Sequence, residues 1–197
     1  WQENIDFLFS LPEFVKYHEE AKKNRDFVKN VWKQNEKRVL EEIDDICHTH
    51  IDFGNEVIKV ITISSAFPAG RTNVTKRRID WGGATRNEFP NYDVIYIAHE
   101  LFHLIFPKGK LTHAIQELIC DNELRIRMNN ESHKSSTYEY INKFKQVQQT
   151  VGHTWLNDMR KLILPYWQEY LTNKTETIWQ FVDRMEKNDE IKKLANI

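Results

Sequence analysis

Asn91-Tyr92-Asp93-Val94-Ile95-Tyr96-Ile97-Ala98-His99-Glu100-Leu101-Phe102-His103-Leu104-Ile105-Phe106 is the stretch on which the reading of this chain turns. Pro90 stands before it and Pro107-Lys108-Gly109 after it, a start signal and a stop signal for a helix. At about 100° per residue, His99, Glu100 and His103 share a face with Tyr92 and Tyr96, and apolar residues cover the rest of the circumference. A helix that is apolar nearly all round is a buried helix. A buried glutamate flanked by two histidines needs a partner, because isolated charge is costly in an apolar interior. Imidazoles four residues apart point the same way and can share one metal ion, with Glu100 one step round, facing a water on that ion. The competing reading is a pair of core histidines satisfied by hydrogen bonds, with Glu100 at a helix edge.

Upstream of this helix the pattern changes twice. Ser10-Leu11-Pro12-Glu13 reads as a capping box with proline in the first turn, and apolar positions recur at Phe14, Tyr17 and Ala21. A second helical stretch runs through Phe27, Val31, Trp32, Val39, Leu40, Ile43 and Ile46, with a break expected near Asn24 to Asp26. Val57 to Ile63 is short and β-branched between Gly54-Asn55 and Pro68-Ala69-Gly70, so it predicts a strand. Arg78 to Ala84 predicts a second one, in which Ile79 and Trp81 alternate with polar residues.

Downstream, helix is expected to follow helix. Thr112 is expected to cap one that runs to about Met128, and Ser136-x-x-Glu139 to open another, ended by Gly152. A further helix spans about Thr154 to Leu171 with Pro165 inside it or at a kink, and Thr175 is expected to cap a last one around Ile178 to Met185. The expected fold is α+β and mostly helical, in a single domain over 1–197. It has N-terminal helices over 10–50, a small sheet over 55–85, helices carrying the polar residues over 90–128 and a helical C-terminal part over 136–190.

Composition narrows the classes of function. With 28 Lys plus Arg against 29 Asp plus Glu, the formal charge of −1 gives no electrostatic reason to bind nucleic acid or an anionic membrane. Cys47 and Cys120 alone provide neither a disulfide framework nor a cysteine-based zinc knuckle. No run of 18 apolar residues suggests a transmembrane segment. The chain starts at Trp1 rather than Met, which reads as a processed or trimmed product.

A catalytic zinc takes three protein ligands and leaves one position open. The HExxHxxGxxH pattern would need Gly at 106 and His at 109, and the chain has Phe106 and Gly109. The next helix offers His113, Glu117, Asp121 and Glu123. Glu117 and Asp121 fall among Ala114, Leu118, Leu124 and Met128 on the face expected to be buried, whereas Glu123 falls with Gln116 and Arg127 on the polar side. A carboxylate on an apolar face requires a reason. Glu117 is therefore the expected third ligand, with His113 as its rival. Asp121 is placed to accept the free N–H of a ligating histidine.

His99-Glu100-Leu101-Phe102-His103 followed by Glu117-Leu118-Ile119-Cys120-Asp121 resembles the gluzincin zinc metallopeptidases, the thermolysin-like family. The resemblance covers about Arg78 to Met128. It implies a zincin-like fold, Zn2+ held by His99, His103 and Glu117, Glu100 as general base, and Asp121 as a supporting acid. It also implies peptide or protein substrates, and a strand beside the helix that binds substrate backbone, for which Arg78 to Ala84 is the candidate. A His or Tyr that steadies the oxyanion is implied too, and His153 ranks ahead of Tyr166, Tyr138 and Tyr140. One departure is the spacing: 13 residues separate His103 from Glu117, fewer than in thermolysin-like enzymes.

Trp155, Trp167, Trp179 and Phe181 recur at helical spacing and read as core. Besides an active zinc metallopeptidase, two other classes fit the chain. One is a zincin-like domain without peptidase activity, acting as a binding or regulatory module, and the other is a metal-free helical interaction protein.

Overall fold

The computed structural model describes residues 2–67, 70–83, 86–87, 90–130, 132–133, 139–141, 147–149 and 152–196; for Gln2, Glu3 and the segments between 131 and 150 it describes backbone alone. The chain is α+β and mostly helical, with a small three-stranded sheet ahead of the HExxH helix. It resolves into two compact units. One comprises Trp1–Glu36 with Asn55–Leu104, the other Lys37–Gly54 with Ile105–Ile197.

In the first unit, α1 (Gln2–Ser10) leads into α2 (Pro12–Cys47), a helix of 36 residues that runs on into the second. The break expected at Asn24 to Asp26 does not occur. Asn24 is buried, donating to the Ile63 carbonyl at 2.8 Å and accepting from Arg86, so a polar residue inside the helix serves as a tie to the loop after the first strand. The helix is not interrupted because the amide's bonding needs are met outside its own backbone.

The sheet consists of β1 (Lys59–Thr62), β2 (Gly70–Asn73) and β3 (Arg78–Trp81) in the order β1-β3-β2. β3 runs parallel to β1 and antiparallel to β2, with Ile79 opposite both Val60 and Thr72. β1 and β3 lie within the two stretches expected to be strands; β2 was not expected. Its Gly-Arg-Thr-Asn sequence lacks a β-branched run, and its conformation comes from pairing with β3.

α3 (Tyr92–Phe102) packs on β2 and β3. It is shorter than the expected helix, and left-handed Asn91 precedes it rather than Pro90 directly. Asp93, buried in its first turn, accepts from Trp81 Nε1 at 2.8 Å and from Arg86 at 2.7 Å, which ties the helix start to β3. A carboxylate is also electrostatically suited to that end of a helix.

In the second unit, α4 (Lys110–Glu117) starts after Gly109, and Thr112 is no cap: its hydroxyl donates back to the carbonyls of Pro107 and Gly109. The expected single helix to Met128 is really three pieces, α4, a π-helical stretch over Leu118–Leu124, and α5 (Arg125–Asn129). π-helical insertions cost regular hydrogen bonding and frequently accompany functional sites.

The helix expected from Ser136 is also replaced. β4 (Ser132–His133), β5 (Glu139–Ile141) and β6 (Val147–Gln149) form an antiparallel three-stranded sheet there. Tyr140-Ile141 and Val147 are residues that favour strands, and they outweigh the capping-box pattern. Ser136, Tyr138, Pro68, Ala69 and Ala84 lie outside the described residues.

A 3-10 turn over Thr154–Leu156 leads into α6 (Asn157–Asn173), which holds Pro165, and α7 (Ile178–Glu186) and α8 (Asp189–Ala195) follow. The cap of α7 is Thr177 in a capping box with Gln180, in place of the expected Thr175. Trp167 and Phe181 belong to the core, but Trp155 and Trp179 are exposed, contrary to the expectation that all four are core.

Candidate functional site

The first unit carries the HExxH element. His99 and Glu100 are buried in the last turns of α3, and His103 follows its last residue with helical angles, φ −63° and ψ −15°. The helical spacing of the two histidines therefore persists past the end of the regular helix. Their rings approach to 5.1 Å between centroids, and a nitrogen of one lies within 4.8 Å of a nitrogen of the other. The Tyr96 ring lies 6.0 Å from that of His99 and the Tyr92 ring 4.6 Å from that of Tyr96, both pairs tilted, so the face read from the sequence is the face observed.

Glu100 has an environment that the sequence did not announce. The Thr72 hydroxyl on β2 lies 2.7 Å from Glu100 Oε2 and 2.8 Å from the Glu100 backbone carbonyl. Gly70, two residues earlier on the same strand, leaves room for the carboxylate, since a Cβ there would stand 2.8 Å from Oε1. β2 thus holds the candidate base. Arg78–Trp81, the strand expected to receive substrate, is the central strand, and both its edges are used by β1 and β2. An extended chain cannot add to it.

The second unit collects His113, Glu117 and His153, each offering a ligand atom within 4.8 Å of the others. Glu117 is fully buried, and three donors reach it: the backbone N–H of His153 at 2.7 Å and His153 Nδ1 at 2.7 Å on Oε1, and the Arg160 guanidinium on Oε2. Arg160 is itself buried and also donates to Asn157. Gly152 makes this possible, because its φ is +139° and a Cβ there would collide with both the guanidinium and the carboxylate.

Asp121 is buried on the π-helical stretch, and Glu123, partly covered, pairs with Arg127 at 3.0 Å; Gln116, expected with them on the polar side, is buried instead. His153 is half-exposed and bonded to Glu117, with the exposed Trp155 ring 6.0 Å away. Of its rivals, Tyr166 accepts from Asn188 at 3.2 Å, and only the backbone of Tyr140 is described.

Sequence reasoning missed Gly70, Thr72 and Arg160. The last was findable: Arg160, Ile163, Trp167 and Tyr170 form one buried stripe of α6, and arginine on such a stripe invites the same question as Glu117. Compared with protein-family models, with curated proteins and with solved structures, the chain matches none.

Proposed function

We propose that this chain is a zinc-dependent metallopeptidase with a zincin-like fold, in which His99, His103 and Glu117 hold the zinc. The carrying observation is the converging pair of imidazoles, His99 buried and His103 partly exposed, with buried Glu100 beside them. The donor set fits the ion: two imidazoles and a carboxylate are zinc ligands in catalytic sites. Bound zinc supplies Lewis acidity toward water and toward a substrate carbonyl. Glu100 takes the proton of the attacking water and passes it to the leaving amine. Asp121 fixes the tautomer of a ligating histidine by accepting its second N–H. Arg160 and His153 orient Glu117, and His153 stands ready to donate to the oxyanion. Substrates are peptides or proteins.

Metal analysis of the purified chain is expected to give one zinc, lost in His103→Ala. Cleavage of a random peptide library is expected from the wild type and is expected to fall by about 10²–10⁴ in Glu100→Gln with zinc retained. Absence of zinc under saturating conditions would overturn the reading. The second reading, a zinc-holding module without peptidase activity, draws on Glu117, whose oxygens are more fully engaged than an open ligand requires. Zinc binding without cleavage would select it.

A further inference from the structure

We propose that Thr72 is a positioning residue for Glu100, and that β2 is built to aim the base of the HExxH helix. This inference rests on the peptidase reading above and names a residue outside the motif.

Three observations on β2 converge. Thr72 Oγ1 is within hydrogen-bond distance of two acceptors of one residue, Glu100 Oε2 and the Glu100 carbonyl. Gly70 has no Cβ where one would press on Oε1 at 2.8 Å and on the Trp81 ring at 3.2 Å. The register places Thr72 opposite Ile79 and Gly70 opposite Trp81, so the residues that meet Glu100 are fixed by a strand pairing.

The chemistry of a hydroxyl suits this position. It has one hydrogen to give and two lone pairs with which to accept. Thr72 Oγ1 stands 2.7 Å from Glu100 Oε2 and 2.8 Å from the Glu100 carbonyl, so one hydroxyl fixes the carboxyl group relative to its own backbone. No proton leaves Thr72, and no bond other than hydrogen bonds is exchanged.

Thr72→Val keeps shape and removes the hydroxyl; Thr72→Ser restores it. Cleavage of the best substrate from a random peptide library is expected to lose tenfold to a hundredfold in kcat with KM within about twofold in Thr72→Val, the scale of a misplaced catalytic group. Thr72→Ser is expected to recover most of the loss. Bound zinc should be unchanged in both, and in a Glu100→Gln background Thr72→Val should lower the residual rate no further. A crystal structure of zinc-free Thr72→Val is expected to show the Glu100 carboxyl turned away from β2. Wild-type kcat in a folded Thr72→Val, an equal loss in Thr72→Ser, or an unmoved carboxyl would overturn the inference while the peptidase reading stands. A wild type that cleaves nothing would instead overturn the peptidase reading, and the zinc-free structure would still decide whether Thr72 aims Glu100.

Discussion

Glu100 and Glu117 are both buried glutamates near the ends of helices, and their surroundings differ in kind. Glu100 meets a neutral hydroxyl from an edge strand, with a glycine making room beside it. Glu117 meets a buried guanidinium, a backbone N–H and an imidazole nitrogen. A hydroxyl can donate or accept, so it tolerates a change in what the carboxyl group carries. A guanidinium cannot accept and never loses its charge, so it is suited to an ion pair with a carboxylate. The difference is what separate duties would require: one carboxyl that exchanges a proton, and one that remains a fixed anion.

The largest test of this contrast removes the cation. Arg160→Ala leaves Glu117 buried without its guanidinium, and breaking one side of a buried ion pair costs about 3–5 kcal/mol. Thermal unfolding is expected to show a loss of that size, with much of it recovered when Glu117→Gln is added. An Arg160→Ala variant as stable as the wild type would show that the pair is not balancing buried charge.

A smaller effect is expected where backbone and packing meet. Gly152→Ala places a side chain at φ +139°, a conformation that costs about 1–3 kcal/mol for residues other than glycine, and the new methyl displaces Arg160 from Glu117. Denaturant unfolding measures it. A loss below about 1 kcal/mol would mean that the segment before α6 can move aside, and would weaken the idea of a fixed anion.

What was legible in the sequence follows the same division. The HExxH face and the burial of Glu117 and Asp121 are local periodicities, legible on a helical wheel. The strands Lys59–Thr62 and Arg78–Trp81 carry their own β-branched or alternating signal. The partners were not legible, because Thr72 reaches Glu100 across 28 positions and Arg160 reaches Glu117 across 43. β2 has no propensity of its own to announce it, and the tie from Asn24 to Ile63 turned an expected helix break into a continuous helix. Long-range pairing overrode local signals in each case.

The smallest effect on stability, and the sharpest on the contrast, is expected at the other glycine. Gly70→Ala involves no positive φ, and the methyl meets mainly the carboxyl end of Glu100, a group that can rotate. Turning it off its rotamer costs about 0.5–1.5 kcal/mol. The unfolding midpoint should therefore move less than in Gly152→Ala. Peptide cleavage should nevertheless fall about tenfold to a hundredfold if, as proposed, the displaced group is the base. Gly152→Ala and Gly70→Ala thus exchange their ranking between stability and activity if the two glutamates have the duties assigned to them. Equal ranking in both measurements would remove the distinction between a carboxyl that moves protons and one that stays charged.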